Sequence, residues 1–347
     1  MHRGIHNIPG PEEERRFAED MQQEETVMIF EKQVVKMVHG QLLVRNDNAN
    51  GIFYFSPEDF PGLQSYAYNF KSHSGHDLKG FFYCYANPIP GRLVVFDHGM
   101  GNGHRAYMRE IETLCKDGWL VYSYDHTGCM ASGGAHIGGF AQSLADLDDC
   151  IRALKQEKAL DDRTFSVVGH SWGGFSTMNI AAIHPQITHV VSMSGFISVE
   201  RICQDALGSL KAYAPALVDH ELREFPRYAR YNALESLAKT RAKVLLIYSE
   251  DDKTVRKDRH YDPLYEKFAN SGHVRFLLVD GKNHNPTYEA ESVKYKDDFF
   301  TQFQKAMKKK QLTAPEDQKE FMGRFDWRHM TKQDMTVWEQ VFEHLRK

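Results

Sequence analysis

Short runs of β-branched and aliphatic residues recur along the chain: RLVVFD at 92–97, LVYSYD at 120–125, FSVVG at 165–169, VVSMS at 190–194, KVLLIYS at 243–249 and VRFLLV at 274–279. Several are continuously apolar, as expected of strands covered on both faces. Between them, His104 to Lys116, Gln142 to Lys158, Trp172 to Ile183 and Tyr261 to Asn270 have the spacing and flanks of helices. Alternation of this kind predicts a parallel sheet with helices on both faces. An earlier pair, Ala67 to Ser72 and Lys79 to Cys84, is split by the turn-forming stretch His73 to His76 and reads as an antiparallel hairpin at one sheet edge.

Three regions break the rhythm. Residues 197–239 are mostly helical in pattern and too long for a simple connection, so they read as a small helical cap after the sixth strand. Residues 1–60 form a polar, then amphipathic, extension whose first twenty or so residues read as disordered. The remaining divisions are a core of 61–196 with 240–310 and a tail of 311–347. In the tail, Trp327 to Leu345 carries Met335, Trp338, Val341, Phe342 and Leu345 at helical spacing, a helix packed on the core or, alternatively, a homodimer face. The basic run Lys308 to Lys310 closes a helix predicted over Asp297 to Lys310 and is a solvated end.

Composition narrows the function classes. At 347 residues and 41% hydrophobic the chain can bury a large core, and 43 basic against 47 acidic residues (net −4) give no field that would favour nucleic acid. The opening MHRGIHNIPGPEEERRF lacks a secretory apolar segment and no stretch is long and apolar enough for a membrane span, so the expectation is a cytoplasmic protein. Five scattered cysteines (Cys84, Cys115, Cys129, Cys150, Cys203) without a CxxC pair read as reduced, mostly buried thiols. The segment Asn46 to Gly51 resembles the start of a calcium loop, but Asn46 and Pro57 stand where Asp and a bidentate Glu are needed, so it reads as a turn. No HExxH, Walker or dinucleotide fingerprint occurs, and no cofactor or metal is implied.

The strongest chemical signal is FSVVGHSWGG, in which a strand runs directly into Gly169-His170-Ser171-Trp172-Gly173 and then a helix pattern. This is a GxSxG elbow in the context the motif requires, with Gly169 and Gly173 leaving room for a strained serine. A serine hydroxyl needs a histidine to accept its proton and a carboxylate to hold that histidine's tautomer. The strand at 243–249 ends in Glu250-Asp251-Asp252, and the strand at 274–279 leads to Gly281-Lys-Asn-His284. Serine, acid and histidine thus follow in the expected order at strand ends. A second oxyanion donor is available at His98-Gly99-Met100-Gly101, whose Met100 amide would partner that of Trp172.

Together these residues resemble the α/β-hydrolase superfamily, in particular the branch of monoglyceride lipases, lysophospholipase-like esterases and proline iminopeptidase-like enzymes. The match runs from about Tyr68 to Lys310. Where relatives carry D-x-R-G-x-G-x-S, this chain has Asp125, Gly128 and Ser132, with Thr127 in place of the arginine and Met130 in place of the second glycine. The resemblance implies an α/β-hydrolase fold of about eight strands, Ser171 as nucleophile, His284 as base, oxyanion amides at Met100 and Trp172, and Asp252 as acid, because Val255 follows it as in the family; Asp251 and then Glu250 are the alternatives. The expected activity is cleavage of a small-molecule carboxylic ester, with amidase, peptidase or acyltransferase chemistry, or a non-catalytic binding role, as the other readings. Leu210, Tyr213, Leu217, Phe225, Tyr228 and Tyr231 are expected to form an apolar acyl or aryl pocket, unless they only pack the cap's own helices.

Overall fold

The computed structural model describes residues 11–47 and 51–347, of which 11–21 and 23–27 are described in backbone only. Eight strands form one sheet: β1 (Gln64–Lys71), β2 (Asp77–Cys84), β3 (Arg92–Asp97), β4 (Leu120–Tyr124), β5 (Thr164–His170), β6 (Ile187–Met193), β7 (Lys243–Ser249) and β8 (Val274–Val279). Their order is β1-β2-β4-β3-β5-β6-β7-β8. The β1–β2 hairpin is antiparallel, joins β4 antiparallel and forms one edge; every other pair is parallel.

The helices are α1 (Pro11–Leu42), α2 (Met108–Lys116), α3 (Gln142–Leu154), α4 (Trp172–Ile183), α5 (Val199–Leu207), α6 (Ala214–Glu224), α7 (Ala233–Lys239), α8 (Asp262–Phe268), α9 (Ala290–Lys308), α10 (Pro315–Met322), α11 (Trp327–Met330) and α12 (Met335–Arg346). The period of two along the central strands divides their apolar residues between two cores. Leu93, Val95, Val167 and Leu246 pack on the face covered by α3, α4 and α8, while Val94, Phe96, Val168 and Leu245 pack on the face covered by α2, α9 and α12. Each of these fully buried side chains contributes about 1.5–3 kcal/mol, which is why continuous apolar runs rather than alternating ones specify these strands.

The segment between β6 and β7 consists of α5, a 3-10 turn over Gly208–Tyr213, α6 and α7. Helix α6 is tied to the head of α3 by the buried Glu221 carboxylate, which accepts the Phe140 N–H at 2.7 Å and the Ala141 N–H at 3.1 Å. Helix α1 lays Val34 and Val38 against this region. The chain after α1 is fastened to the loop following β4 by Arg45, whose guanidinium donates to the carbonyls of Met130, Ser132 and Gly134 at 2.7, 2.9 and 2.6 Å.

Several boundaries differ from the sequence reading. Helix α1 includes residues 11–20, so the expectation of a disordered start is left only with residues 1–10, which lie outside the described residues. Asn48 to Asn50 of the predicted turn lie outside them too, while Asn46 pairs with Cys129 in an isolated bridge. Helix α3 stops at Leu154, and a 3-10 turn at Lys158–Leu160 buries Leu160 instead. Helix α9 begins at Ala290 and ends at Lys308; Lys310 adopts a positive φ of 56° beyond it. The amphipathic run in the tail is two helices, because Asp334 caps α12 through the Thr336 N–H; Met335 is exposed and Val337 takes its place in the core. All five cysteines are free and buried. Among the described residues no helix is long and apolar enough to cross a membrane.

Candidate active site

Strand β5 runs through Gly169 and His170 into Ser171, which caps the N-terminus of α4 at φ 56° and ψ −110°. A non-glycine residue seldom occupies this left-handed region, and the surroundings hold it there. The Ser171 N–H donates to the Met193 carbonyl of β6 at 2.8 Å, and the Ser171 carbonyl accepts the Phe175 N–H at 3.0 Å. A Cβ at Gly169 would run into the Gly173 carbonyl, and one at Gly173 into the Asp97 carbonyl of β3, so the two flanking positions admit only glycine.

The structure brings Ser171, His284 and Asp252 together. His284 lies in the loop after β8, with its Nε2 2.9 Å from Ser171 Oγ and its Nδ1 2.8 Å from Asp252 Oδ2. Asp252 is buried, and its other oxygen accepts the N–H groups of Thr254 and Val255 at 2.8 and 2.9 Å. Burial pushes this carboxyl's pKa upward, but the hydrogen bond from and charge of His284, with the two amides, outweigh it and hold the group below its usual range. Asp251 faces elsewhere. Its Oδ1 accepts the Ser249 hydroxyl at 2.5 Å and the amides of Lys282 and Asn283 at 3.1 and 3.0 Å, bracing the loop that carries His284. Glu250 is exposed.

Met100 follows β3 and lines the same cavity as Ser171. Trp172 is the first residue of α4, so its N–H belongs to the helix's unpaired first turn, while its indole is buried and donates to the Phe140 carbonyl at 2.7 Å. The loop bearing Met100 is stiffened by His98, whose Nδ1–H donates to the Gly99 carbonyl at 2.7 Å while Nε2 accepts the His126 N–H at 3.1 Å. Burial keeps this imidazole's pKa well below its ordinary value, in keeping with a neutral ring.

The cavity over Ser171 has a volume of about 350 Å³. Its apolar wall differs from the one expected. Phe225, Tyr228 and Leu217 are buried in the core between α6 and the sheet, and Leu210, Tyr213 and Tyr231 pack against it; none of the six lines the cavity. Their apolar surface is consumed by packing this segment into the core. The wall is built instead by Ile52 and Phe53 from the chain before β1 and by Phe300 and Trp327 from α9 and α11. Both regions lie outside the stretch that resembles the family or at its far end, and no local motif marks them.

Two further groups adjoin the site. His170, between Gly169 and Ser171, donates from Nε2 to the His284 carbonyl at 2.6 Å and accepts the Tyr107 hydroxyl at Nδ1, 3.0 Å away. Burial, with the charge of His284, drives its pKa down to about 3, so it stays neutral and fixes the backbone of the His284 loop. Lys296, on α9, reaches the cavity and donates from Nζ to Asn285 Oδ1 at 2.9 Å. Among the described residues no group of three or more His, Cys, Asp or Glu side chains could hold a metal ion.

A family model described as serine aminopeptidase, S33, matches residues 88–224, a span from β3 to α6 that contains Ser171, Met100 and Trp172 and stops before Asp252 and His284. An esterase of Pyrococcus furiosus is similar in structure, with 19% identity over 76% of this chain and 97% of its own, at a TM-score of 0.57. A putative dienelactone hydrolase of Klebsiella pneumoniae is similar at 15% identity over 82% of this chain and 99% of its own, with a TM-score of 0.51. At these identities the likeness is one of fold.

Proposed function

We propose that this chain, which has the α/β-hydrolase fold and matches the serine aminopeptidase, S33, family model over residues 88–224, is a serine hydrolase that cleaves a carboxylic ester through a covalent acyl-enzyme. The observation that carries the reading is the unbroken chain of contacts from Ser171 Oγ through His284 to the buried Asp252, at 2.9 and 2.8 Å.

In this reading Ser171 Oγ attacks the ester carbonyl as His284 Nε2 takes its proton. Asp252 accepts from Nδ1–H, keeps the correct tautomer and stabilises the imidazolium. The amides of Met100 and Trp172 receive the oxyanion, and His284 then protonates the departing alkoxide. Water activated by the same imidazole releases the acid. The strain at Ser171 supports the assignment, since an unfavourable backbone conformation kept by its neighbours at a cavity floor is typical of a reacting residue.

Peptidase chemistry is the second reading, favoured by the match to the aminopeptidase family model. Labelling with a fluorophosphonate probe tests the first claim: wild type should react, and Ser171→Ala and His284→Ala should not. A folded wild type that fails to label would point to a non-catalytic binding protein. A panel of p-nitrophenyl esters against amino-acid amides then separates the substrate classes, and faster amide turnover would overturn the ester assignment.

A further inference from the structure

Among the described residues, the cavity over Ser171 is lined by one formally charged side chain apart from its histidines, and that side chain is a cation. Around the nucleophile it is lined by Asn102, Tyr107, Tyr288 and Asn285 on its polar side, by apolar residues from before β1 and from α9, and by Lys296; among the described residues no carboxylate lines it. Lys296 is half-buried and lies 5.0 Å above the Tyr288 ring. Among the described residues its ammonium donates to the neutral Asn285 and takes part in no ion pair. An ammonium carries three donors, so two are left for another group.

Lysines are seldom taken out of water without a partner anion, because desolvation is offset only by a matching charge. The acids near Lys296 are Glu110 and Asp297. Asp297 is exposed. Glu110 is buried, accepts a hydrogen bond from the Tyr288 hydroxyl while its Oε2 has no partner, and is pushed up to about 7 by its burial, so it is a weak counter-ion at neutral pH. The surroundings continue the same sign. Thr254, whose amide binds Asp252, lines both this cavity and an adjoining groove of about 840 Å³ in which Arg256 is paired with Asp258 and Arg259 with Asp205, while Lys211 and Lys253 add two further cations.

We propose that the Ser171 cavity is built for an ester that carries an anionic group, a carboxylate in the first instance, and that Lys296 is the residue that reads it. This deepens the proposed function and rests on that reading. The basic groove would draw such substrates toward the site, and Lys296 would supply a charge-assisted hydrogen bond inside it. Since Lys296 also steadies Asn285, beside His284, a purely structural role is the alternative, and the test has to separate them.

The experiment compares kcat/KM for 4-nitrophenyl hemiglutarate with that for the neutral 4-nitrophenyl valerate in wild type, Lys296→Gln and Lys296→Arg. A second pair, 4-acetoxybenzoate against phenyl acetate, places the carboxylate on the leaving group instead of the acyl half. Wild type should favour the charged member of one pair. Lys296→Gln, which retains a donor to Asn285, should lower that charged-to-neutral ratio by about ten- to a hundredfold, the worth of a hydrogen bond to a charged group, and Lys296→Arg should restore most of it. A fall by the same factor for both esters, leaving the ratio unchanged, would assign Lys296 a structural role and overturn the proposal. Should the variants not fold, competition in wild type decides: glutarate or benzoate should inhibit valerate hydrolysis, less so in high salt, and no inhibition by either counts against the proposal. If Ser171 also fails to label with fluorophosphonate, the hydrolase reading itself has failed; if it labels and the ratios do not move, only this inference has.

Discussion

Replacing Asp252 by asparagine tests the triad at the point where the sequence leaves three candidates. One carboxylate oxygen of Asp252 accepts the Thr254 and Val255 N–H groups and the other faces His284 Nδ1. An asparagine must keep its carbonyl toward the two amides, because an NH2 there would oppose two donors. Its NH2 therefore turns to His284 Nδ1, which must become an acceptor. The ring proton moves to Nε2, and the imidazole can no longer take the proton of Ser171. The wrong tautomer in a triad of this kind costs about 10⁴ in kcat, so Asp252→Asn should lose about 10³- to 10⁴-fold. The two amide bonds survive, so unfolding by urea should shift by no more than about 1–2 kcal/mol. Asp251→Asn is the control. All three of its contacts are to Oδ1, which an asparagine carbonyl can retain, and kcat should stay within about tenfold of wild type. The measurement is kcat for a p-nitrophenyl ester at pH 7.5 together with the urea midpoint. If Asp252→Asn retains kcat within tenfold, or Asp251→Asn loses more than it does, the assignment of the acid is wrong.

Three other predictions concern the scaffold. His189 on β6 and His344 on α12 face each other at 5.5 Å with an unpartnered Nε2 each, and burial holds both at about 4. Their folded pKa lies below the unfolded 6.5, so stability is full above pH 6.5 and falls by up to about 3 kcal/mol for one such group as pH drops toward 4; urea titrations at several pH values should show a shallower slope for His344→Gln, and an unchanged slope would refute this. Glu221 has the opposite sign. Burial raises it from 4.5 to about 7, so its contribution is present below pH 4.5 and lost, by about 3 kcal/mol, as pH rises through 7; Glu221→Gln should remove that loss, and a variant that still weakens equally between pH 5 and 8 would contradict it. Arg45→Met removes the donors to three loop carbonyls, which should cost about 2–4 kcal/mol and expose the junction after α1 to limited proteolysis at a rate well above wild type; equal cleavage rates would rule out the fastening role.

What can be read from the sequence divides along the range of the interactions. Continuous apolar strands declare themselves because both of their faces are buried, and the runs at 92–97 and 243–249 coincide with β3 and β7 to the residue; the run at 274–279 coincides with β8, an edge strand that is only half-buried. Ser171 is legible because its strained turn needs glycines within two positions, so the constraint is written beside it. His284 and the group of three acids follow from chain order, but the choice among Glu250, Asp251 and Asp252 depends on which carboxylate is turned toward an imidazole 32 positions away, and spacing alone carries no such information. The cavity wall is the least legible part. The aromatic residues of 197–239 look like a pocket because they are apolar and near a presumed lid, whereas any amphipathic helix pair needs the same residues to pack itself.

Much of the cavity's apolar wall, together with Lys296, comes from outside the strand-end loops that carry the rest of its lining: Ile52 and Phe53 before the sheet, Lys296, Phe300 and Trp327 after it. They are held there by contacts between distant segments, among them the stacking of Phe53 on Trp327 at 5.7 Å and the bond from Arg328 to the Asp59 carbonyl. In an α/β-hydrolase the sheet and elbow can stay constant while substrates change, because the reacting atoms are set by strand ends and the specificity by whatever is folded over them. Here part of that covering is made by segments before and after the sheet, so on the proposed function determinants of substrate choice are expected where the resemblance is weakest. Exchanging Phe53 or Trp327 should accordingly move KM and chain-length preference more than the rate of Ser171 labelling by a small fluorophosphonate. A parallel fall in both would mean instead that the terminal segments support the triad itself.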